Sequence, residues 1–375
     1  MDRPESLVPT LEQLEHLSRA RSIARDHLEK IAKAGPPGRV HRPLVAALAE
    51  HGLLQRLFPE DGQVSARTLC ELREGIAYVS PEAETALALQ GLGAYPILQS
   101  GPPELAGRWI PEVRAGRAVA AFALTEPGAG SDAAALALRA EPDGDGFRLT
   151  GEKRWISNAP DADVYTVFAR TGEGDRARGV TAFAVAGDAE GLSGEHLELV
   201  APHPIGSLVF DGVPVSRADV LGEPGRGFEV AMRTLDLFRP SVGAFAVGMA
   251  QAALDASVAH ARERHAFDRP LNEFQAVSHR LADMATKLEA ARLLVYRAAD
   301  LYDGGEPVTQ ASAMAKLFAT EAAQEIVDGA IQVHGARALE KGHLLEHLYR
   351  EVRATRIYEG TSEIQRNVVA RSLFG

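Results

Sequence analysis

The period of the apolar residues changes twice along this chain, and this change constrains its fold more than any other feature. From the N-terminus to about residue 118 the apolar residues recur at helical spacing, as in the stripe over residues 11–23. From about residue 119 the apolar runs are short, rich in β-branched residues, and separated by Gly, Asp and Pro. The helical period returns at about residue 226 and continues to the end. The pattern predicts an α+β chain with three domains, 1–118, 119–225 and 226–375.

Each of the three predicted domains has its own packing pattern. In the first, the nearly all-apolar stretch 87–98 predicts a buried helix. In the second, several short strands predict a compact β-barrel or β-sandwich. In the third, Ala-rich faces that let helices approach closely predict a four-helix-bundle domain. Its long helices are predicted over residues 228–237, 242–265, 274–302 and 310–333.

The composition of the chain excludes several classes of function. Its 375 residues carry a net charge of -11, which argues against a nucleic-acid-binding protein because such proteins present basic faces. No run of ~18 apolar residues is present, and the polar N-terminus lacks the apolar core of a signal peptide. The single cysteine, Cys70, excludes an internal disulfide, and no pair of histidines has metal-ligand spacing backed by carboxylates. We expect a cytoplasmic protein without a membrane span or a metal site.

Residues 356–367 contain a carboxylate on a predicted turn between two helices. Gly360 interrupts the helical pattern. Residues 361–363 predict a new helix start, because a hydroxyl can accept from first-turn amides and a carboxylate suits the positive helix end. Glu359 therefore lies beside a residue without a side chain, where its carboxylate can face a cleft and a substrate can approach. The common alternative is a surface glutamate in a turn, since glutamate is rarely buried without a partner.

Four other segments stand out by residue type. Residues 125–132 form a Gly-rich loop with hydroxyls, whose backbone amides can approach a planar or anionic ligand, although an ordinary β-turn is the alternative. Residues 155–157 combine a tryptophan with a hydroxyl, although a lone tryptophan is usually a core residue. Residues 262–275 include Arg264, whose guanidinium matches phosphate geometry. Residues 332–336 lie at the end of a predicted helix, and these last two segments could each be a polar helix end.

Together these segments resemble those of the acyl-CoA dehydrogenase family. Residues 356–367 resemble the catalytic turn of that family, in which the glutamate at the position of Glu359 is the base that removes the α-proton of an acyl thioester. Residues 122–132 resemble the segment that contacts the flavin. The resemblance covers nearly the whole chain and is strongest over 119–170 and 226–375. It implies the acyl-CoA dehydrogenase-like fold for the three predicted domains.

The resemblance also implies FAD as the cofactor and assigns residues to FAD and to the substrate. In the family, the tryptophan at Trp155 lies against the flavin and the hydroxyl at Ser157 bonds near its reactive nitrogen. The residues implied for FAD binding are Phe122, Leu124, Thr125, Gly130, Ser131, Trp155, Ile156, Ser157, Arg264, Phe267, Gln275, Gln332, Gly335, Thr361 and Glu363. The residues implied for the substrate are Ser131, Asp236, Arg239 and Gly360.

The resemblance implies partners as well. In the family, the segments that contain Arg264 and Gln332 reach the FAD of a neighbouring subunit. We therefore expect a homo-oligomer, usually a tetramer in this family, with a dimer as the alternative. The long apolar C-terminal helices fit this expectation. The resemblance further implies that an electron-transferring flavoprotein reoxidises the flavin.

Some members of the family take the base from an earlier helix, at the position where this chain has Phe238. A phenyl ring cannot abstract a proton, so Glu359 is left as the candidate. By the same resemblance, Asp236 and Arg239 line the substrate channel. Arg239 would also help to keep Glu359 ionised by proximity.

Several segments depart from the family pattern where a substrate would touch. The turn at 201–207 and the run at 335–339 both differ from the usual sequence, and Arg337 is unexpected there. We hypothesise that Arg337 or His334 meets a polar or acidic acyl group or the phosphopantetheine arm. The alternative is a solvated arginine.

The reaction implied is α,β-dehydrogenation of an acyl thioester, with coenzyme A or a carrier protein as the carrier. Two other interpretations stay open at this point. A flavin-dependent monooxygenase or oxidase on the same fold is opposed by Glu359, which such relatives typically replace. A non-catalytic family member is opposed by the intact flavin segments.

Overall fold

The computed structural model describes residues 11–172 and 176–374, with side chains from residue 15 onward. In this part of the chain helices precede and follow a sheet, so the predicted helix–sheet–helix order is confirmed. The helices are α1 (Leu11–Ile23), α2 (Glu29–Ala34), α3 (Arg42–Glu50), α4 (Leu53–Leu57), α5 (Ala66–Ala77), α6 (Pro81–Ser100), α7 (Pro103–Arg114), α8 (Gly227–Glu263), α9 (Gln275–Asp303), α10 (Thr309–His334), α11 (Leu344–Thr355) and α12 (Ser362–Phe374). The strands are β1 (Ala120–Ala123), β2 (Arg139–Asp143), β3 (Gly146–Ser157), β4 (Val164–Arg170), β5 (Val180–Ala186), β6 (Leu192–His196), β7 (Ile205–Ser216), β8 (Val220–Leu221), β9 (His265–Ala266) and β10 (Arg269–Pro270).

The chain divides into two compact units. The helical unit comprises the segment that ends at Glu29, the segment Ser65–Glu84 and the segment from Asp236 onward. The sheet unit comprises Lys30–Val64 and Thr85–Leu235. Because each unit collects segments that are far apart in the sequence, a site within the helical unit can draw residues from several separate stretches of chain.

The sheet unit is built around one eight-stranded sheet. Its strand order is β6–β7–β3–β2–β4–β5–β8, and β1 pairs with β4. The pairs β1–β4 and β2–β4 are parallel, and the other pairs in this sheet are antiparallel. Strands β4 and β5 are buried along almost their whole length, as their continuous apolar runs require. The predicted β-domain is confirmed. Strands β6 and β8 are the first and last strands in this order.

The ladder between β3 and β7 is irregular at two places. The second irregularity lies between Arg154 and Ile156, so that Trp155 has no partner in the ladder. Trp155 has φ of +56°, which is rare for a bulky residue. A bulge inserts an extra residue and redirects its side chain. Trp155 is therefore 46% exposed, although Ile156 beside it is buried.

Helix α8 is continuous over 37 residues, which corrects the prediction of two helices at 228–237 and 242–265. Pro240 lies inside this helix, and it has no N–H to donate to the carbonyl oxygen of Asp236. The hydroxyl of Ser312 on α10 donates to that oxygen instead, at 3.4 Å. A tertiary contact thus satisfies the backbone group that the proline leaves free, and the helix continues.

The other predicted helices agree with the structure. Helices α9 and α10 cover most of the predicted segments 274–302 and 310–333, and α6 contains the predicted buried stretch 87–98. A Cβ at Gly243 of α8 would lie 2.6 Å from Cγ2 of Val295 on α9. Close approach of these helices therefore depends on a small residue, as the Ala-rich and Gly-containing faces predict.

Within the described residues, α8 is the helix whose length and composition would suffice to cross a membrane. Its mean hydropathy of 1.4 is reached with many small apolar residues and without an unbroken run of ~18 apolar residues. The most apolar window of α8 is 72% buried inside the protein, as is usual for a core helix. The expectation of a chain without a membrane span stays a prediction.

Candidate active site

Glu359 lies on a tight turn between α11 and α12, and three side chains hold the backbone of this turn. Glu359 and Gly360 have φ of +52° and +92°, a left-handed conformation that glycine tolerates and glutamate rarely adopts. Nε of Arg239 donates to the carbonyl oxygen of Glu359 at 3.3 Å, and Nζ of Lys316 donates to that of Gly360 at 2.7 Å. Nε2 of Gln365 donates to both carbonyl oxygens at 3.0 Å. Helices α8, α10 and α12 therefore fix the turn.

The predicted helix start after Gly360 is confirmed. Oγ1 of Thr361 accepts a hydrogen bond from the amide of Ile364 at 3.3 Å, as an N-cap hydroxyl does. The hydroxyl of Ser362 donates to Oε1 of Glu321 on α10 at 2.5 Å, which ties α12 to the bundle. Glu363 is exposed in the first turn, where its charge favours the helix end.

Glu359 is half-buried, and one oxygen of its carboxylate is sequestered from solvent. Its Oε2 atom is inaccessible to water and has no hydrogen-bond partner among the described residues. Burial raises the pKa of Glu359 above its usual range, while the charges of Arg73, Lys316 and Arg239, in this order, oppose the shift. The alternative of an ordinary surface glutamate is therefore wrong. A buried carboxylate oxygen without a partner, with a raised pKa, is suited to take a proton from a ligand.

The charges that act most strongly on this carboxylate were not identified from the sequence. The predicted influence of Arg239 is present, but it is smaller than those of Arg73 and Lys316. Arg73 lies on the buried face of α5, three residues before Ile76, and Lys316 lies on the buried face of α10, three residues before Ala319. A charged residue at a core position of a helix is the signal that could have identified both.

The two residues assigned to the substrate channel lie next to each other on α8. Nη1 of Arg239 lies 3.6 Å from Oδ1 of Asp236, and the hydroxyl of Thr309 donates to Oδ2 of Asp236 at 3.4 Å. Burial raises the pKa of Asp236 and lowers the pKa of Arg239. Phe238, at the alternative position of the base, is fully buried.

In the sheet unit, a buried ion pair anchors the Gly-rich loop that follows β1. Nζ of Lys153 donates to the carbonyl oxygen of Leu124 at 2.9 Å and to Oε1 of Glu126 at 2.8 Å. Glu126 in turn accepts hydrogen bonds from the amides of Ala137 and Leu138 at 2.6 and 2.9 Å. Burial lowers the pKa of Lys153 to about 8. Of the predicted FAD residues here, Leu124 is buried, Phe122 and Thr125 are half-buried, and Gly130 and Ser131 are exposed.

The bulge in β3 lies next to this loop, because the amide of Arg154 donates to the carbonyl oxygen of Thr125 at 3.0 Å. Trp155 is exposed there, whereas the side chain of Ile156 belongs to the core and offers only its backbone to a cofactor. Oγ of Ser157 lies 2.9 Å from Nε2 of His203, a contact that the sequence analysis did not predict. The feature of the sequence that could have pointed to this contact is the turn at 201–207, which departs from the family pattern and contains His203.

The imidazole of His203 is neutral at ordinary pH, because burial lowers the pKa of His203 to about 4. A neutral imidazole can donate or accept at Nε2 according to its tautomer. His203 therefore fixes the Ser157 hydroxyl without adding a charge to this part of the sheet unit.

In the helical unit, β9 and β10 pair as a short hairpin that carries Phe267 at its tip. Phe267 has φ of +51° and is 90% exposed. Arg264, before the hairpin, and Gln275, at the first position of α9, are also exposed. An exposed ring on a tight hairpin and an exposed guanidinium just before it are suited to bind an aromatic and anionic nucleotide.

The end of α10 lies beside the end of α8. The rings of His334 and His260 stack with centroids 4.2 Å apart, and the amide of Arg264 donates to the carbonyl oxygen of His260 at 2.9 Å. The structure therefore brings the predicted segments at Arg264 and Gln332 together within one unit. Gly335 has φ of +67°, and no atom lies within 4 Å of the position of a Cβ there. Arg337 is exposed, and its hypothesised role stays a prediction.

The residues present fit FAD. The exposed ring of Trp155 offers a face for a flavin, and the exposed guanidinium of Arg264 offers a partner for a pyrophosphate. Open space at the Cβ positions of Gly130 and Gly335 allows a cofactor to approach the backbone. Within the described ranges, no cluster of three or more His, Cys, Asp or Glu side chains could hold a metal ion.

Comparisons with known proteins show the family of this chain. The acyl-CoA dehydrogenase N-terminal, middle and C-terminal domain models match residues 10–117, 121–213 and 225–374. The chain is 37% identical over 361 residues to the cyclohexane-1-carbonyl-CoA dehydrogenase of Geobacter metallireducens, which covers 94% of this chain and 95% of that protein.

Two solved structures are similar over the whole chain. The butyryl-CoA dehydrogenase from Megasphaera elsdenii has a TM-score of 0.92 at 31% identity, with 100% of both chains covered. The FAD complex of PigA has a TM-score of 0.92 at 26% identity and covers 100% of this chain and 99% of that one. The domain matches, the identity and the site together show that this chain belongs to the acyl-CoA dehydrogenase family and is an FAD-dependent oxidoreductase that dehydrogenates acyl-CoA.

Proposed function

We propose that Glu359 is the base that removes the α-proton of the acyl thioester. The observation that carries this proposal is the Oε2 atom of Glu359, which is buried and has no hydrogen-bond partner among the described residues. The α-C–H bond breaks, its proton passes to this carboxylate, and the electron pair of that bond forms the new α,β-double bond. FAD, when bound, accepts the hydride that leaves the β-carbon.

The turn that carries Glu359 is built to hold the carboxylate in place. Arg239, Lys316 and Gln365 each donate to its backbone carbonyl oxygens, so the base does not have to be ordered when substrate arrives. Pre-ordering of a reacting group can supply a large part of a rate enhancement. The absence of a bonded partner at Oε2 leaves the accepting capacity of that atom unused by the protein.

Each unit carries proposed FAD contacts of its own. Trp155, Ser157 and Thr125 of the sheet unit would bind the flavin, and the exposed Arg264 and Gln332 would bind the pyrophosphate and adenosine. By the family pattern, these last two act on the FAD of a neighbouring subunit. We therefore propose a homotetramer, which is supported by exposed apolar side chains near the C-terminus such as Leu373 and Phe374.

The electron acceptor and the carrier are proposals that rest on the family pattern. We propose an electron-transferring flavoprotein as the acceptor and a cytoplasmic location for the enzyme. Coenzyme A is the carrier in the reaction of the family, and an acyl-carrier protein is the alternative.

The proposed polar-acyl contact of Arg337 predicts that Arg337→Ala lowers kcat/KM on substrates with polar acyl groups more than on apolar ones.

The test of the base is Glu359→Gln, which keeps the size of the side chain and removes its basicity. FAD-loaded protein is mixed anaerobically with a panel of acyl-CoA and acyl-carrier thioesters, and bleaching of the flavin is followed. We expect the variant to bind FAD normally and to bleach at least about 100-fold more slowly than the parent. Glu325→Gln, on the exposed side of α10, is the control and should bleach at the parental rate.

Other outcomes of the same test would contradict the proposal. A parental bleaching rate in Glu359→Gln would mean that another group takes the proton. Rapid oxygen consumption with a hydroxylated product would indicate a monooxygenase or oxidase. Colourless protein that takes up no FAD would indicate a non-catalytic member of the family.

A further inference from the structure

We propose that Glu321 is a positioning residue that aims the base, because its carboxylate holds both ends of the loop that carries Glu359. This inference rests on the proposed role of Glu359 as the base. Glu321 lies on α10, and it is not among the residues that the family resemblance assigns to FAD or to the substrate.

Residues 356–362 form a closed loop with Glu359 at its centre. Arg356 is the first residue after α11, and Ser362 is the first residue of α12. The amide of Ser362 donates to the carbonyl oxygen of Arg356 at 3.1 Å, so a main-chain hydrogen bond closes the loop at these two residues. Glu359 lies midway between them in the sequence. A separation of the two ends would therefore displace the residue between them.

The carboxylate of Glu321 contacts the side chains of both closing residues. Oγ of Ser362 donates to Oε1 of Glu321 at 2.5 Å, and Nε of Arg356 lies 2.9 Å from Oε2 of Glu321. Ser362 is buried, and a hydrogen bond from a hydroxyl to a carboxylate is short and strong. Each oxygen of Glu321 thus holds one end of the closed loop.

Helix α10 also holds the middle of the closed loop. Nζ of Lys316 on α10 donates to the carbonyl oxygen of Gly360 at 2.7 Å. Lys316 fixes one point of the loop, and Glu321 fixes its two ends. A single fixed point lets a loop rotate, whereas three fixed points set both its position and its orientation. Glu321 is therefore the residue that sets the direction in which the Glu359 carboxylate points.

A contribution to the stability of the fold does not explain these contacts. The side chains of Arg356 and Glu321 are 33% and 26% exposed, and ion pairs that water can reach add little to stability. A second ion pair on α10 provides a comparison. Glu325 pairs with Lys287 of α9 and does not involve the closed loop.

Two substitutions of Glu321 separate its two contacts. Glu321→Gln keeps an oxygen that can accept from Ser362 but has no charge for the guanidinium, so it should match Arg356→Met. Glu321→Ala removes both contacts, so it should match the double variant Arg356→Met/Ser362→Ala. Adding Glu321→Ala to that double variant should cause no further loss, because the partners of Glu321 are already gone.

Anaerobic stopped-flow reduction of bound FAD measures these effects. The substrate is the acyl-CoA that bleaches the parent enzyme fastest in the panel. We expect the limiting rate to fall about 3- to 10-fold in Glu321→Gln, Arg356→Met and Ser362→Ala, which each lose one contact. In Glu321→Ala we expect a fall of about 10- to 100-fold, because the base is misplaced.

The same experiment separates aiming of the base from a general loss of structure. The substrate concentration that gives half the limiting rate should stay within about twofold of the parent, because the lost interaction acts only in the transition state. FAD content, measured by absorbance, should also stay parental. A loss of folded protein would instead lower the FAD content and leave the rate per bound flavin unchanged.

The matched control is Glu325→Ala, one helical turn after Glu321. It removes a carboxylate that also pairs with a cation, and it should keep the parental rate. If Glu321→Ala does not fold or retain FAD, the three variants that lose one contact carry the test.

Parental limiting rates in those three variants, or a further loss when Glu321→Ala is added to the double variant, would overturn the inference and leave Glu359 as the base. An equal loss in Glu325→Ala would overturn it as well. A parental rate in Glu359→Gln would instead remove the base assignment on which the inference rests.

Discussion

Nζ of Lys316 donates a hydrogen bond of 2.7 Å to the carbonyl oxygen of Gly360, the residue that follows the proposed base. The ammonium is buried, and desolvation lowers the pKa of Lys316 to about 8 although the charge of Glu359 opposes this shift. One side chain thus anchors the turn and adds positive charge beside the carboxylate. The rate of proton removal should depend on it.

We predict that Lys316→Met lowers the rate of anaerobic flavin reduction by about 10- to 100-fold, because a small misplacement of a reacting group costs this much. Stopped-flow absorbance of the flavin measures the rate. Lys287→Met is the control, since it removes a partly exposed lysine that pairs with Glu325. It should leave the rate nearly unchanged. Equal rates in the two variants would show that the turn does not need its anchor on α10.

Gly360→Ala should disturb the same turn through its backbone. The φ of Gly360 is +92°, and a Cβ there would lie 2.5 Å from Nε2 of Gln365. Gln365 is fully buried and donates to two carbonyl oxygens, so it cannot move away freely. We expect a loss of about 1–3 kcal/mol in the free energy of unfolding together with slower flavin reduction.

The control for Gly360→Ala is Gly305→Ala, in the loop between α9 and α10. Gly305 has φ of +72° but no atom within 4 Å of its Cβ position, so that only backbone strain is added. This variant should lose some stability and keep its rate of flavin reduction. Chemical denaturation and stopped-flow reduction measure the two effects. A normal rate in Gly360→Ala would contradict the prediction.

The contact between Ser157 and His203 should act as a unit. We predict that Ser157→Ala and His203→Ala each slow flavin reduction by about 3- to 10-fold, since each removes one hydrogen bond worth ~1 kcal/mol. The double variant should be no slower than the slower single variant, because both changes remove the same interaction. His203→Gln keeps a hydrogen-bonding group and should recover part of the rate. Additive losses would mean that the two residues act independently.

The buried carboxyl of Glu351 should make stability depend on pH. Burial raises the pKa of Glu351 to about 7, so the folded state holds a proton that the unfolded chain has already released. The stabilisation is complete below the unfolded pKa and is lost as the pH rises through about 7. Glu351→Gln removes this dependence. At pH 8 we expect the variant to be more stable than the parent by on the order of 1–3 kcal/mol.

Thermal unfolding at pH 5 and pH 8 measures the effect of Glu351→Gln. The difference between variant and parent should be small at pH 5 and should grow toward pH 8. Glu346→Gln is the control on the same helix, because Glu346 pairs with Arg350 at 2.7 Å and its pKa is lowered rather than raised. It should show no gain at pH 8. A gain in both variants would point to the net charge of the protein instead of the buried carboxyl.

Local patterns in the sequence were sufficient for much of the fold. The change of apolar period predicts the order of helices and sheet, and the hydroxyl at Thr361 predicts the start of α12, because both depend on residues within a few positions of one another. The same local reasoning fails at Pro240. The carbonyl oxygen that this proline leaves free is satisfied by Ser312, which comes from another helix.

The turn at Glu359 and its resemblance to a known catalytic segment could be read from adjacent residues alone. The environment of its carboxylate could not, because it is made by residues such as Arg239, which precedes Glu359 by 120 positions. Arg73 and Lys316 are ordinary charged residues in the sequence, and their influence on the pKa of Glu359 follows from where packing buries them. Desolvation and Coulomb forces depend on distance in space, so packing decided which charges act on Glu359.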